Sequence, residues 1–287
     1  MKTLVACLLT AVATNAIAQD VLIRGATVHT GSDQGTLSST DVLIRAGKIE
    51  AVGTGLTAGA DAVTIDAKGR PLTAGLFGGL SGIGVEEVSA EPTTADTGFT
   101  LNAPLFEMQW RPEFDVTFAY NSRSLLIPVA RVEGLTWTVL TPTPVGNFLS
   151  GQGAAVTLDG RYDAVLPGTQ SLFVNLGGNM NALSDGSRAA QWMLLDQAIE
   201  ETRSPSSVQE NALLHPAGRR ALAKYLGGGR VVFRVSRAAD IRRAVAFAKR
   251  NGMKPVIAAA AEAWVVAAEL ARDNVPVMID ALENLPG

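Results

Sequence analysis

From Val231 onward the chain alternates strand and helix with very short connections, and this alternation restricts its fold more than any other feature. Val231 to Val235 reads as a strand, Ala239 to Asn251 as an amphipathic helix, and Pro255 to Ala259 as a strand. Glu262 to Arg272 then reads as a helix and Val275 to Ile279 as a strand. Ile241, Ala244, Val245 and Ala248 fall on one helical face, and Gly252 stands where a helix C-cap belongs. Strands joined through short helical crossovers pair in parallel and with right-handed connections. Units of this kind build either a (β/α)₈ barrel or a doubly wound sheet.

The N-terminal part obeys a different period. Residues 20–71 read as a small all-β unit, with strands beginning at Val21-Leu22-Ile23-Arg24, Asp41-Val42-Leu43-Ile44 and Lys48-Ile49-Glu50-Ala51-Val52. Ala46-Gly47 makes the tight turn between the last two. A fourth run, Ala62-Val63-Thr64-Ile65, ends in Asp66-Ala67-Lys68-Gly69, where glycine suits a positive φ. Leu72 to Leu80 then suits one buried strand, and residues 90–114 form a polar, turn-rich excursion. Thr136 to Leu140, Ala154 to Leu158 and Ser171 to Val174 are further strands, and Ser187 to Arg203 has helical spacing.

Residues 1–18 have the form of a secretory signal: Lys2, an apolar run from Leu4 to Val12, and Ala16-Ile17-Ala18 before Gln19. The run is too short for a membrane span. Leu4-Val5-Ala6-Cys7 also has the form of a lipoprotein box, but almost no apolar segment precedes Cys7. Cys7 is the only cysteine, so the mature chain is expected to lack disulfides and thiolate metal sites. A periplasmic or secreted location follows as an expectation. Hydrophobic residues at 47% against 18% charged argue for a folded core. A net charge of −3 without a basic stripe argues against nucleic acid, and no later segment is apolar enough to span a membrane.

Three stretches, VLIRGATVHTG, DVLIRAGKIEAVG and the Asp-Ala-Lys-Gly turn followed by Ala74-Gly75-Leu76-Phe77, resemble the entry to the barrel of the amidohydrolase superfamily, especially its imidazolonepropionase-like branch. The resemblance implies an incomplete TIM-like (β/α) barrel over 72–287, preceded by a small β-sandwich segment over 19–71. It also implies zinc or another divalent metal, held by His-x-His on the first barrel strand and by later ligands. Here Leu80 and Gly82 stand at the two histidine positions. Arg234, followed by Arg237, Asp240 and Ile241, stands where the resemblance places a strand-end histidine. Ala258-Ala259-Ala260 stands where a His or Glu followed by Gly is implied. Alanine ligates nothing, and guanidinium has no free lone pair at neutral pH.

The mature chain has two histidines. His29 reads as a strand-end residue and His215 as the residue before a helix that Pro216 starts. Glu86, Glu87 and Glu91 follow the first barrel strand, and Asp280 and Glu283 follow the last. Active sites of barrels lie at C-terminal strand ends, so Glu86 and Asp280 are the candidate catalytic acids and Arg234 the candidate binding residue, with no metal ligand. Gly227-Gly228-Gly229 precedes a strand and is no phosphate loop. Ser150-Gly151-Gln152-Gly153 is no nucleophile elbow. Core packing is the expectation for Trp110, Trp137, Trp192 and Trp264.

The expected function is thus an exported, amidohydrolase-like pseudoenzyme that binds or assembles. The alternative is a hydrolase of non-peptide carbon–nitrogen bonds such as cyclic amides. From residue 72 the chain falls short of the roughly 250 residues of a full barrel. A truncated or divided product is one expectation. The other is a partner, either a paralogous amidohydrolase or a second copy, covering the open edge.

Overall fold

A computed structural model describes residues 19–88, 91–98, 110–143, 148–177, 187–204 and 212–279. The signal segment 1–18, residues 90 and 99–109 of the 90–114 excursion, Asp280 and Glu283 lie outside the described residues. The chain divides into two units, the first ending at Ala74 and the second beginning at Gly75.

In the first unit β1 (Val21–His29), β2 (Thr36–Arg45), β3 (Lys48–Gly53), β4 (Val63–Asp66) and β5 (Pro71–Thr73) form one mixed sheet. Its main path runs β3-β2-β1-β4, with β5 also on β1. β2 and β3 meet through the two-residue turn Ala46-Gly47, with φ of 48° and 75°. Both values are positive, as the primed hairpin turns require. β4 and β5 both run parallel to β1, paired with Val21–Arg24 and Thr27–His29. Lys68-Gly69, with φ of 52° and 75°, forms the expected turn after β4, closed by the Arg70 amide donating to the Ala67 carbonyl at 2.9 Å. Ala26, Val28, Val42 and Ala67 form the buried face. The companion sheet that a sandwich needs is not among this unit's described residues.

The expected single strand over Leu72 to Leu80 is two. β5 closes the first unit, and β6 (Leu76–Ser81) opens the second. Gly75 lies between them because a β-carbon there would sit 2.2 Å from the Thr136 hydroxyl. β6 pairs in parallel with β7 (Leu135–Leu140), reached through α1 (Leu126–Val132).

The next strand departs from the parallel pairing of a TIM-like barrel. β8 (Leu149–Gly153) and β9 (Ala155–Thr157) are separated only by Ala154 and run antiparallel to their neighbours, β8 on β10 (Ser171–Asn175) and β9 on β7. The bent pair carries the sheet order from β6-β7-β9 across to β8-β10 and on to β11 (Arg230–Val235), β12 (Lys254–Ala259) and β13 (Val277–Ile279). The glycines explain the passage: a β-carbon at Gly153 would lie 2.0 Å from the Leu140 carbonyl oxygen, and one at Gly151 2.5 Å from that of Phe114. Ser150 to Gly153 is therefore strand, placed where backbones approach too closely for side chains.

β10 to β13 are parallel, as the alternation requires. α2 (Arg188–Arg203), capped by Ser187, and α3 (Pro216–Leu226) lie between β10 and β11 in sequence. α4 (Ala238–Arg250) then joins β11 to β12. Ile241, Ala244, Val245 and Ala248 pack with Val231, Phe233, Val235 and Ile257 in one cluster, so these odd-numbered strand positions face the helices. Each fully buried Val, Ile or Phe side chain among them contributes about 1.5–3 kcal/mol. α4 ends in a Schellman motif: the Met253 amide donates to the Ala248 carbonyl at 2.9 Å, and Gly252 takes φ 71°.

The helix expected from Glu262 begins as a tighter turn, Ala263–Val266, before α5 (Ala267–Arg272). That turn buries Ala263 and Val266 and turns Trp264 outward, 78% exposed. Core packing holds for Trp110 and Trp192, which are buried, while half-buried Trp137 stacks on Phe77 and Trp264 is a surface residue.

Candidate functional site

Strand alternation makes the inner face of the second unit legible residue by residue. Val139, Ala155, Phe173, Val232, Val256 and Ala258 form one cluster, with Leu80, Trp137 and Met278 packed against it. The parallel registers pair Asn175 with Arg234, Arg234 with Ala258, and Ala258 with Met278. Asn175 and Arg234 lie two residues beyond inward-facing Phe173 and Val232, so they share that face at the C-terminal strand ends. Leu80 reaches the same face from β6, opposite Val139.

Asn175 is 1% exposed, and its amide nitrogen donates to the Ser150 hydroxyl. Its side-chain oxygen is buried and without a partner among the described residues. Arg234 is half-buried and engaged within the protein. Beside this level Gln191, from α2, accepts from the Gly177 amide at 3.0 Å and donates to its carbonyl at 3.1 Å, fixing the turn after β10. Arg188 and Asp240 tie the first turns of α2 and α4 at 3.0 Å. Glu262 caps α4 from the next loop, accepting from the Ala238 amide at 2.8 Å. After β12, Ala259 and Ala260 both take positive φ, 66° and 61°. Two consecutive alanines in the left-handed region strain the backbone at a strand end.

The candidate acids divide. The Glu86 amide donates to the Gly82 carbonyl at 3.0 Å, and a β-carbon at Gly82 would lie 3.5 Å from the Glu86 carboxylate. Glu86 thus stands beside the end of β6. Glu87 instead accepts from Asn121 and Ser124 at 3.2 and 2.8 Å, holding the turn before α1. Glu91 accepts from the Thr93 hydroxyl and amide, and these hydrogen bonds lower its pKa. Asp280 and Glu283 lie outside the described residues.

Both histidines have local roles. His29 Nδ1 lies 3.0 Å from the Thr36 hydroxyl at the exposed end of β1, and His215 Nδ1 accepts from the Ala217 amide as the N-cap of α3. Buried Tyr225, its pKa raised by burial and by the charge of Asp115, donates to Gln152 at 2.8 Å. Burial, with Asp159, likewise pushes Tyr120 up to about 12, and its hydroxyl donates to the Thr157 carbonyl. Neither phenol is poised to exchange protons near neutrality.

A catalytic zinc takes about three protein donors. The positions where the resemblance implies them hold Leu80, Gly82, Arg234 and Ala258 to Ala260, and among the described residues no three His, Cys, Asp or Glu groups meet. These residues do not fit a divalent metal. A groove of about 490 Å³ between α4 and α5, floored by Ile241, Val245 and Leu270 and bridged by Arg242–Glu269, lies in the helical layer away from the strand ends. Asn175 was not anticipated from the sequence. Its signal is a polar residue closing the apolar run Ser171-Leu172-Phe173-Val174.

Comparison with solved structures shows that the fold is similar to that of an amidohydrolase. The chain is similar to an amidohydrolase from Thermotoga maritima, with a TM-score of 0.75 at 20% identity over 92% of this chain and 73% of that one. A triazine hydrolase from Arthobacter aurescens aligns with a TM-score of 0.40 at 14% identity over 93% of this chain and 67% of that one. No family model and no curated protein sequence matches the chain. At such identities the likeness concerns the fold alone.

Proposed function

We propose that this chain is an exported amidohydrolase-fold protein of the imidazolonepropionase-like branch whose strand-end site has lost its metal, and that it serves as a binding or assembly subunit. One observation carries the reading: the inward strand-end positions that would supply ligands hold Leu80, Arg234 and Ala258. Hydrocarbon and guanidinium donate no lone pair to a cation. Export is supported by the form of residues 1–18. Assembly, with a paralogous amidohydrolase or a second copy, is supported by β6 and β13, which stand at the ends of their sheet orders among the described residues. Unpaired strand edges invite pairing with another chain. No helix among the described residues is long and apolar enough to cross a membrane.

A second reading, a hydrolase of carbon–nitrogen bonds in cyclic amides, is favoured by the Glu86 carboxylate at the end of β6. Glu86 and Asp280 would then share acid and base roles without a metal. A panel of cyclic amides, assayed with and without chelator, separates the two. Absence of turnover in both conditions is the expected result. Turnover that survives chelation and disappears in Glu86→Gln would establish the second reading. Turnover abolished by chelator would overturn the loss of the metal.

A further inference from the structure

We propose that the strand-end face carrying Arg234 binds a small organic carboxylate, and that Asn175 accepts a hydrogen bond from an N–H or O–H group of the same ligand. This rests on the reading that no metal occupies that face.

Arg234 and Asn175 are register partners on adjacent parallel strands, so their backbones are nearest neighbours at one level of the sheet. A guanidinium carries five N–H donors in a fixed fork, enough to serve both a partner in the protein and a carboxylate. Asn175 supplies the complementary group: a buried amide oxygen with no partner among the described residues. An unsatisfied buried acceptor costs about 1–3 kcal/mol, and a ligand donor would remove that cost. The surrounding inward side chains, Leu80, Val139, Ala258 and Met278, are apolar. They suit an aliphatic body and strengthen a charge-assisted hydrogen bond by excluding water. One cation, one acceptor and an apolar wall together suit a hydroxy acid or an N-acylated amino acid better than a neutral amide.

The test is calorimetric titration of the full chain, after chelator treatment and metal analysis, with three probes: 2-hydroxy-4-methylpentanoate, 4-methylpentanoate and 4-methylpentanamide. The hydroxy acid should bind best, the plain acid more weakly, and the amide not detectably. Arg234→Gln should weaken the hydroxy acid about tenfold or more, with Arg234→Lys intermediate. Asn175→Ala should abolish the preference for the hydroxyl while retaining binding of the acid. Circular dichroism of each variant verifies folding, and the probe comparison on the wild type stands without them. Equal binding of acid and amide, or an unchanged affinity in folded Arg234→Gln, would overturn the proposal. So would the absence of binding by every probe to metal-free wild type, which leaves the metal-free reading intact. Binding that requires bound zinc and ignores Arg234 would overturn both.

Discussion

Ala260 lies in the left-handed region with φ 61° directly after β12. A β-carbon there costs about 1 kcal/mol relative to glycine. Ala260→Gly should therefore stabilise the protein by about 1 kcal/mol in urea denaturation, and a loss of stability would show that the Ala260 methyl is needed in the cluster where it packs. Gly153 makes the opposite case. Its missing β-carbon would sit 2.0 Å from the Leu140 carbonyl oxygen, so Gly153→Ala should destabilise by about 3 kcal/mol. A variant that melts with the wild type would contradict the close approach of β7 and β8. Glycine positions of this kind are visible in sequence, but which backbone they face is not. Ser150-Gly151-Gln152-Gly153 is not legible as a strand because two glycines disfavour one, and only the passage between two sheets explains them.

At the scale of elements, the C-terminal alternation was legible because local period, short loops and the Gly252 cap agree. β11, α4 and β12 lie within a residue of the expected bounds, and α5 keeps the expected end at Arg272. The bent strand β8–β9 was not, because its direction is set by contacts with β7 and β10 and not by any local pattern. In the first unit the expected hairpin at Ala46-Gly47 formed, while β5 was hidden because Pro71-Leu72-Thr73 adjoins the next strand without a polar break.

Asp41 of β2 organises that unit by accepting the Gly25 amide at 2.9 Å and the Leu56 amide at 3.1 Å. The Gly25 hydrogen bond leads in holding its pKa below 3.8, against an opposing effect of burial. A depressed folded pKa gives stability that is fully present above the unfolded value near 3.8 and is lost as pH falls through the folded one. Asp41→Asn should lower Tm at pH 7 and flatten the dependence on pH below about 4. An acid limb identical to that of the wild type would remove Asp41 from this role.

For the whole molecule, the open question is what meets the second unit's exposed apolar surface. Phe118 is 92% exposed, Leu125 at the N-cap of α1 is 82% exposed, and Val129 and Val132 on α1 are 63% and 85% exposed. Apolar groups spaced along one helix face are a common docking device. Sedimentation velocity should show concentration-dependent association of the purified chain, reduced in Val129→Glu/Val132→Lys. A monomer at all concentrations would eliminate the second copy as partner and leave the paralogue. The mixed α/β class followed from the alternation, whereas the choice of a barrel over an open sheet rests on the resemblance of the entry motif. In the proposed reading the site is legible mainly as substitutions, with Leu80, Arg234 and Ala258 where the resemblance implies donors. Asn175 emerged only from the register that sets it beside Arg234.

Metal content tests the central claim most directly. The full chain, incubated with equimolar zinc and passed over a desalting column, should retain well under one zinc per chain by elemental analysis. Its Tm should not change on chelation, because a ligand bound only by the folded state would raise it. One tightly held zinc per chain, removed by chelator with a fall in Tm, would contradict the account.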